Sequence, residues 1–259
     1  MASALEIRGI NKSFGAIQVA KDITLTLEEG ARHALIGPNG AGKTTLVGIL
    51  SGVVQPNSGS VVLFGDDITR DSSAVRTRKG LVRTFQVSNL FTKLSVLENV
   101  FLAISEKAHA SFDFWTGAGK KRDLLDRAEA VIEEVKLTEY IHDKVSEIAY
   151  GRQRLVELAI ALALEPRVLL LDEPAAGIPH SEIDVLLHAV DVLPKHIAIL
   201  MIEHDMQIVR RFASEVTVLV GGVVLMSGSP KDVMTSEQVR EVYLGHSGAS
   251  RFSAESHHA

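Results

Sequence analysis

A chain of 259 residues, 46% apolar and 23% charged, is long enough for one large α/β domain or for a core with a small subdomain. Its 27 basic and 32 acidic residues give a net charge of −5 with no basic tail or stripe, which disfavours nucleic acid as the main partner, because phosphate neutralisation needs clustered Lys and Arg. The absence of cysteine excludes disulfides and thiolate metal sites.

The first residues, "MASALEIRGI", lack a basic segment followed by a long apolar core, so no secretory signal is expected. Short extended segments come first: "LEIRGI", "DITLTL", "ARHALI" and "SVVLFG", separated by turn-rich pieces such as "PNSG". A helix is predicted from Lys43 to about Gly52, and "GLVRTFQ" reads as a strand ending at Gln86. Between Val87 and Glu157 the character becomes helical. "SVLENVFLAI" and "KKRDLLDRAEAVIEEVKL" place apolar residues three and four apart, among them Leu124, Leu125, Ala128, Val131, Ile132 and Val135. "HASFDFWTGAG", with Trp115, is either a loop packed by its own aromatics or an exposed docking edge. Further on, "RVLLLDEP" and "HIAILMIEHD" read as fully buried strands of a parallel sheet, joined by the helix "SEIDVLLHAVDVL". "EVTVLVGGVVLMSG" reads as a hairpin turning at Gly221-Gly222. Apolar runs such as "VLLL" before Asp172 are too short to span a bilayer, so membrane association is expected through partners.

The stretch Gly37, Pro38, Asn39, Gly40, Ala41, Gly42, Lys43, Thr44 and Thr45 fits G-x-x-x-x-G-K-T between a strand and a helix. Its glycines let backbone N–H groups curl around phosphate oxygens, and the helix N-terminus adds donors aimed the same way. Lys43 reaches the β- and γ-phosphates, Thr44 ligates Mg²⁺, and Thr45 adds a phosphate hydrogen bond. Asp172, ending a buried strand, is expected to hold Mg²⁺ through water, and Glu173 to orient or deprotonate the attacking water. His204, ending the next strand, reads as a γ-phosphate sensor with one ring nitrogen held by a neighbour. Gln86 is placed to bond the metal or the attacking water and to pass the nucleotide state into the helical insertion.

This set resembles the ATP-binding subunit of ATP-binding-cassette transporters over about residues 10–240. "GPNGAGKTT" and "VLLLDEP" are similar to the family's two nucleotide motifs, "TFQ" to its glutamine loop, "AAGIPHSE" to the loop after the second motif, and "IEHD" to its histidine switch. The resemblance implies an α/β fold: a P-loop NTPase core with an antiparallel β subdomain and an inserted α-helical subdomain. The expected domains are 1–86, the N-terminal core with the β subdomain; 87–157, the helical signature-bearing subdomain; and 158–259, the rest of the core and the tail. Phe14 resembles the aromatic that stacks on adenine, with a core phenylalanine as the alternative reading.

"IAYGRQR" occupies the family's signature position, where the usual leucine-serine-glycine-glycine-glutamine is replaced by Ile148, Ala149, Tyr150, Gly151 and Arg152, followed by Gln153. In this family two cassettes pair head to tail. The resemblance therefore places Ala149, Tyr150, Gly151, Arg152 and Gln153 over the partner's ATP, with backbone N–H groups of the helix start directed at its γ-phosphate. The serine hydroxyl is missing at Ala149, and Tyr150 stands where a glycine is usual. Together with "NLFTKLSVLENVFLA", "DEPAAG", "IEHDM" and "VYLG", this signature is similar to the ATPases of branched-chain amino acid importers. Pro179 and His180 depart from the asparagine and proline that the group commonly has there.

The resemblance implies a Mg²⁺-dependent ATPase using ATP at the cytoplasmic face of the inner membrane. Its implied partners are a second, different cassette subunit, two transmembrane permease subunits and, indirectly, a periplasmic or extracellular solute-binding protein, with no nucleic acid. An exporter ATPase of similar fold is an alternative. A cassette protein acting on DNA or ribosomes is another, which expects fused second cassettes, long coiled coils or a basic surface. A non-hydrolysing module is opposed by Lys43, Asp172, Glu173 and His204, and a GTPase by the lack of its switch and guanine-reading motifs.

Overall fold

A computed structural model describes residues 2–84, 90–108 and 118–244. They form two compact units, one made of residues 2–70 with 200–244, the other of the described residues between 71 and 199.

The first unit opens with strands β1 (Ser3–Phe14) and β2 (Ile17–Glu28), followed by β3 (Arg32–Ile36), helix α1 (Lys43–Leu50), β4 (Ser58–Leu63) and the short β5 (Asp66–Asp67). Strands β2, β1, β4 and β5 lie in that order in an antiparallel sheet. In β2, Ile23, Leu25 and Leu27 are buried while Thr24 and Thr26 face outward, a period of two that leaves one sheet face apolar. The helix α1 ends at Leu50, two residues short of the sequence expectation, and its last turn closes through Ser51 onto Val47.

The second unit runs through helix α2 (Ser73–Arg78), β6 (Leu81–Arg83), α3 (Val96–Lys107), α4 (Ala118–Glu134), α5 (Tyr150–Ala163), β7 (Val168–Asp172) and α6 (His180–Asp191). Strand β6 pairs in parallel with β7, Arg83 lying opposite Leu170. Helix α3 starts at a reciprocal cap: the Ser95 hydroxyl accepts from the Glu98 N–H and the Glu98 carboxylate accepts from the Ser95 N–H. Along α4, Leu124, Ala128 and Ile132 are buried at four-residue spacing, and Val135 just beyond it is buried too, whereas Leu125 and Val131 sit half-buried at the edge of the stripe. All five residues of β7 are buried, matching its continuous apolar sequence.

Strand β8 (Ala198–Ile202) is likewise buried throughout. The first unit then resumes with α7 (Met206–Phe212), β9 (Glu215–Val220), β10 (Val223–Gly228), α8 (Pro230–Thr235) and α9 (Glu237–Leu244). The hairpin expected at Gly221-Gly222 is present, with Val220 paired to Val223 and both glycines at positive φ. Strand β9 also pairs in parallel with β3. Ala34, Ile36, Val209, Val216, Val218, Val233 and Val239 pack into one apolar cluster beneath this pairing. A polar chain lies on the opposite face of this pairing: His33 Nε2 lies 2.8 Å from Thr217 Oγ1, which lies 2.7 Å from Ser227 Oγ. Burial pushes the His33 imidazole down to about 4.

Candidate active site

The glycine-rich loop leaves the end of β3 and feeds α1 directly. Its N-cap is Gly42 at φ 102, a left-handed conformation open to glycine, and no side chain caps the helix. A methyl group at Gly42 would collide with the carbonyl of Val19, and one at Gly37 with the carbonyl of Leu219. The loop is thus pinned on both sides by neighbouring backbone while the first-turn N–H groups lack a side-chain acceptor, which suits an incoming phosphate. The Lys43 side chain folds back over the loop, its ammonium donating to the carbonyls of Gly37 at 2.7 Å and Pro38 at 3.1 Å. Lys43 is buried, Thr45 is half-buried and Thr44 is exposed.

Phe14 ends β1 with 52% of its surface exposed, so the alternative of a core phenylalanine is excluded. The Lys12 ammonium sits 4.9 Å from its ring centre. His204 follows β8 with its side chain 51% exposed. Its backbone N–H donates to Glu203 Oε2 at 3.1 Å, and the same oxygen lies 3.8 Å from its Nδ1. Glu203 is almost fully buried.

In the second unit Asp172 ends β7 and is 4% exposed. Arg83 Nη2 donates to Asp172 Oδ2 at 2.5 Å. This partner was not foreseen, although a charged residue inside the apolar run "LVRTF" was the visible signal. Glu173 adopts φ 48, a left-handed conformation that costs a non-glycine residue of order 1 kcal/mol or more and that clusters at functional positions. Its carbonyl accepts from the Ala176 N–H at 3.0 Å, fixing the turn that follows. Gln86 lies outside the described residues, as does Trp115.

The signature segment starts α5. Ala149 is its N-cap, and no side chain caps that end. Tyr150 is anchored: its hydroxyl accepts from Arg154 Nη2 at 2.7 Å, its ring carries the same guanidinium at 5.1 Å, and its edge packs on Gly177 in the loop after β7. Arg154 and Glu157 form a buried ion pair at 2.8 Å one turn along. Opposite charges three apart in an otherwise apolar helix could have flagged them. The Gly151 backbone lies against the Glu182 side chain so closely that a methyl group there would collide with the carboxylate. Arg152 stacks on Tyr140 at 4.2 Å, and Gln153 donates to the carbonyls of Val145 and Ile148 at 3.2 and 3.1 Å. These two side chains brace the loop that leads into the helix.

Phosphate-loop architecture and a carboxylate at the end of a buried strand are the marks of a P-loop ATPase. The architecture is similar to a solved ATP-binding cassette of an ABC transporter in its ADP conformation, with a TM-score of 0.82 at 26% identity over 95% of this chain and all of that one. The fold is a P-loop NTPase core of mixed antiparallel and parallel β structure with an inserted α-helical subdomain, and the chain is an ATPase of the cassette type. The family model described as "ABC transporter" matches residues 20–176, and the chain belongs to that family. It is 35% identical to the high-affinity branched-chain amino acid transport ATP-binding protein BraF of Pseudomonas aeruginosa, over 93% of this chain and 97% of that protein. It is 33% identical to the corresponding protein LivG of Escherichia coli (strain K12), again over 93% and 97%. Among the described residues no helix is long and apolar enough to cross a membrane.

Proposed function

We propose that this chain binds and hydrolyses ATP to power import of a small polar solute, branched-chain or related amino acids, through a membrane transporter. The observation that carries the reading is end-to-end similarity to BraF, joined to a phosphate loop with every motif residue in place. The chain works at the cytoplasmic face of the inner membrane. Its partners are a second, different cassette subunit, two permease subunits and, at one remove, a solute-binding protein.

In this reading Gly37, Pro38, Asn39, Gly40, Ala41 and Gly42 wrap the phosphates with backbone donors, and Thr45 adds its hydroxyl. Lys43 exchanges the loop carbonyls it now holds for phosphate oxygens, a short movement for a flexible ammonium. Phe14 offers an exposed ring face for adenine stacking. Thr44, Gln86 and Asp172 would hold Mg²⁺, since a hydroxyl, an amide oxygen and a buried carboxylate are hard oxygen donors that suit that cation. Bound there, the ion supplies charge neutralisation on the phosphates. Glu173 orients or deprotonates water, His204 senses the γ-phosphate with Glu203 at its other face, and Gln86 relays the result to the helical segment after it. Ala149, Tyr150, Gly151, Arg152 and Gln153 belong to the partner's ATP site. The missing hydroxyl at Ala149 makes that composite site unequal to the one completed by the other cassette.

The test is co-purification with the membrane complex, followed by substitution. Lys43→Ala should weaken ATP binding, whereas Glu173→Gln should keep binding and nearly abolish turnover once the partner cassette is silenced. Wild-type turnover in that Glu173→Gln complex removes the catalytic assignment. Two copies of this chain with no second ATPase in the complex remove the heterodimer.

A further inference from the structure

Asp172 does not stand alone at the end of its strand. Arg83 lies opposite Leu170 in the parallel pairing of β6 with β7, and the N–H of Thr84 donates to the Leu170 carbonyl at 3.0 Å, which fixes that register. Side chains two apart along a strand share a face, so Arg83 and Asp172 are diagonal neighbours on one side of the sheet, a separation a guanidinium bridges easily. The contact follows: 2.5 Å from Arg83 Nη2 to Asp172 Oδ2, with side-chain exposures of 18% and 3%.

We propose that Arg83 is a resident counter-charge that sets how tightly the site holds its divalent cation. The inference rests on the reading of Asp172 as a metal-holding residue. Two effects of Arg83 oppose each other. Its Nη2 bond restrains Asp172 Oδ2, which favours metal binding, and its positive charge repels a second cation at the same carboxylate, which disfavours it. Magnitudes decide between them. Orienting a short side chain already held at a strand end recovers only the small rotamer freedom of an aspartate. A unit charge acting on a divalent ion a few ångströms away is worth several times that, even at an effective dielectric of about 20. The charge effect wins. Arg83 therefore weakens the grip of Asp172 on the ion and keeps the metal exchangeable along with the nucleotide, while sparing the buried carboxylate from standing unpaired when the site is empty of metal.

The experiment titrates Mn²⁺ against the full-length protein saturated with a non-hydrolysable ATP analogue and reads bound metal by electron paramagnetic resonance. Arg83→Gln should lower the half-saturating metal concentration by about tenfold or more, after allowance for screening. Arg83→Lys keeps the charge and should stay near wild type, which a purely packing role would not require. Thermal unfolding midpoints establish that each variant is folded, and Arg83→Met serves if Arg83→Gln is not. An unchanged or raised half-saturating concentration in a folded neutral variant overturns the proposal. Asp172→Asn is the separate control: if it leaves metal affinity unaltered, the reading of Asp172 itself fails, whatever Arg83 does.

Discussion

Tyr150 and Arg154 hold each other one turn apart on the signature helix: the phenolic hydroxyl accepts from Nη2 at 2.7 Å while the guanidinium lies 5.1 Å from the ring centre. The tyrosine that replaces the usual glycine is thereby tied to a buried arginine whose other side faces Glu157. Tyr150→Phe should cost about 1 kcal/mol in urea unfolding, below the usual range for a hydrogen bond to a charged group because Tyr150 is 39% exposed and water can replace it. A cost below a few tenths would show that the contact contributes nothing to the fold.

Gly151 carries a second prediction. Gly151→Ala puts a methyl group into the Glu182 carboxylate, so Glu182 must rotate away. Because the colliding oxygen ends a flexible side chain and alanine favours a helix, the single variant should lose less than a core substitution does, and adding Glu182→Ala should raise its unfolding midpoint. A strictly additive pair of costs, measured as a double-mutant cycle, would remove the collision as the cause.

Phe91 is 60% exposed, with its main chain clamped at both ends by the buried Asn99: the Phe91 N–H donates to Asn99 Oδ1 at 3.0 Å and Asn99 Nδ2 donates to the Phe91 carbonyl at 3.1 Å. The exposed ring thus stands on a main chain held at both ends, outside the buried core. Phe91→Cys or Lys93→Cys in a chain with no native cysteine should crosslink to a cytoplasmic loop of a permease subunit. Crosslinks from exposed control positions but none from these two would place the docking face elsewhere.

His33 makes stability depend on pH. Its folded value of about 4 lies below the usual 6.5, so between those limits the unfolded chain binds a proton that the folded chain refuses. The contribution is complete above about pH 6.5 and is lost as pH falls toward 4. It amounts to an upper figure of about 3 kcal/mol at 1.36 kcal/mol per pH unit. Urea unfolding at pH 7.0 and 5.0 should show a smaller loss in His33→Gln, which keeps a partner for Thr217, than in wild type. Equal losses would exclude His33 as the source.

Legibility in the sequence followed distance along the chain. The phosphate loop, the carboxylates at the end of "VLLLDEP" and the hairpin at Gly221-Gly222 depend on residues within one short segment, and spacing alone revealed them. Arg83 on Asp172 depends on the register between two strands, and His33 on Thr217 joins residues 184 apart, so no local pattern announces either. Tyr150 was noticed as an oddity, but its tie to Arg154 needed the helix to be seen. Phe14 was ambiguous because an aromatic after alternating apolar residues fits a core as well as a surface; exposure decided it. The units follow packing density, which composition does not record.

The parallel partnership of Arg32–Ile36 with Glu215–Val220 also dictates a timetable. On the ribosome, the antiparallel pairs of the first seventy residues find their neighbours nearby and can assemble early, since such contacts close short loops. The strand that launches the phosphate loop must wait for a partner made nearly a chain length later. The loop waits longer still, because the Ala41 carbonyl is held at 3.1 Å by the N–H of Gly222 and Gly37 rests against Leu219. A nascent chain stopped before residue 215 has translated every atom of its glycine-rich loop and lacks the wall that shapes it. Capture of nucleotide is then expected only once residues 215–222 have been made, and a chain stopped before them should fail to bind an ATP analogue.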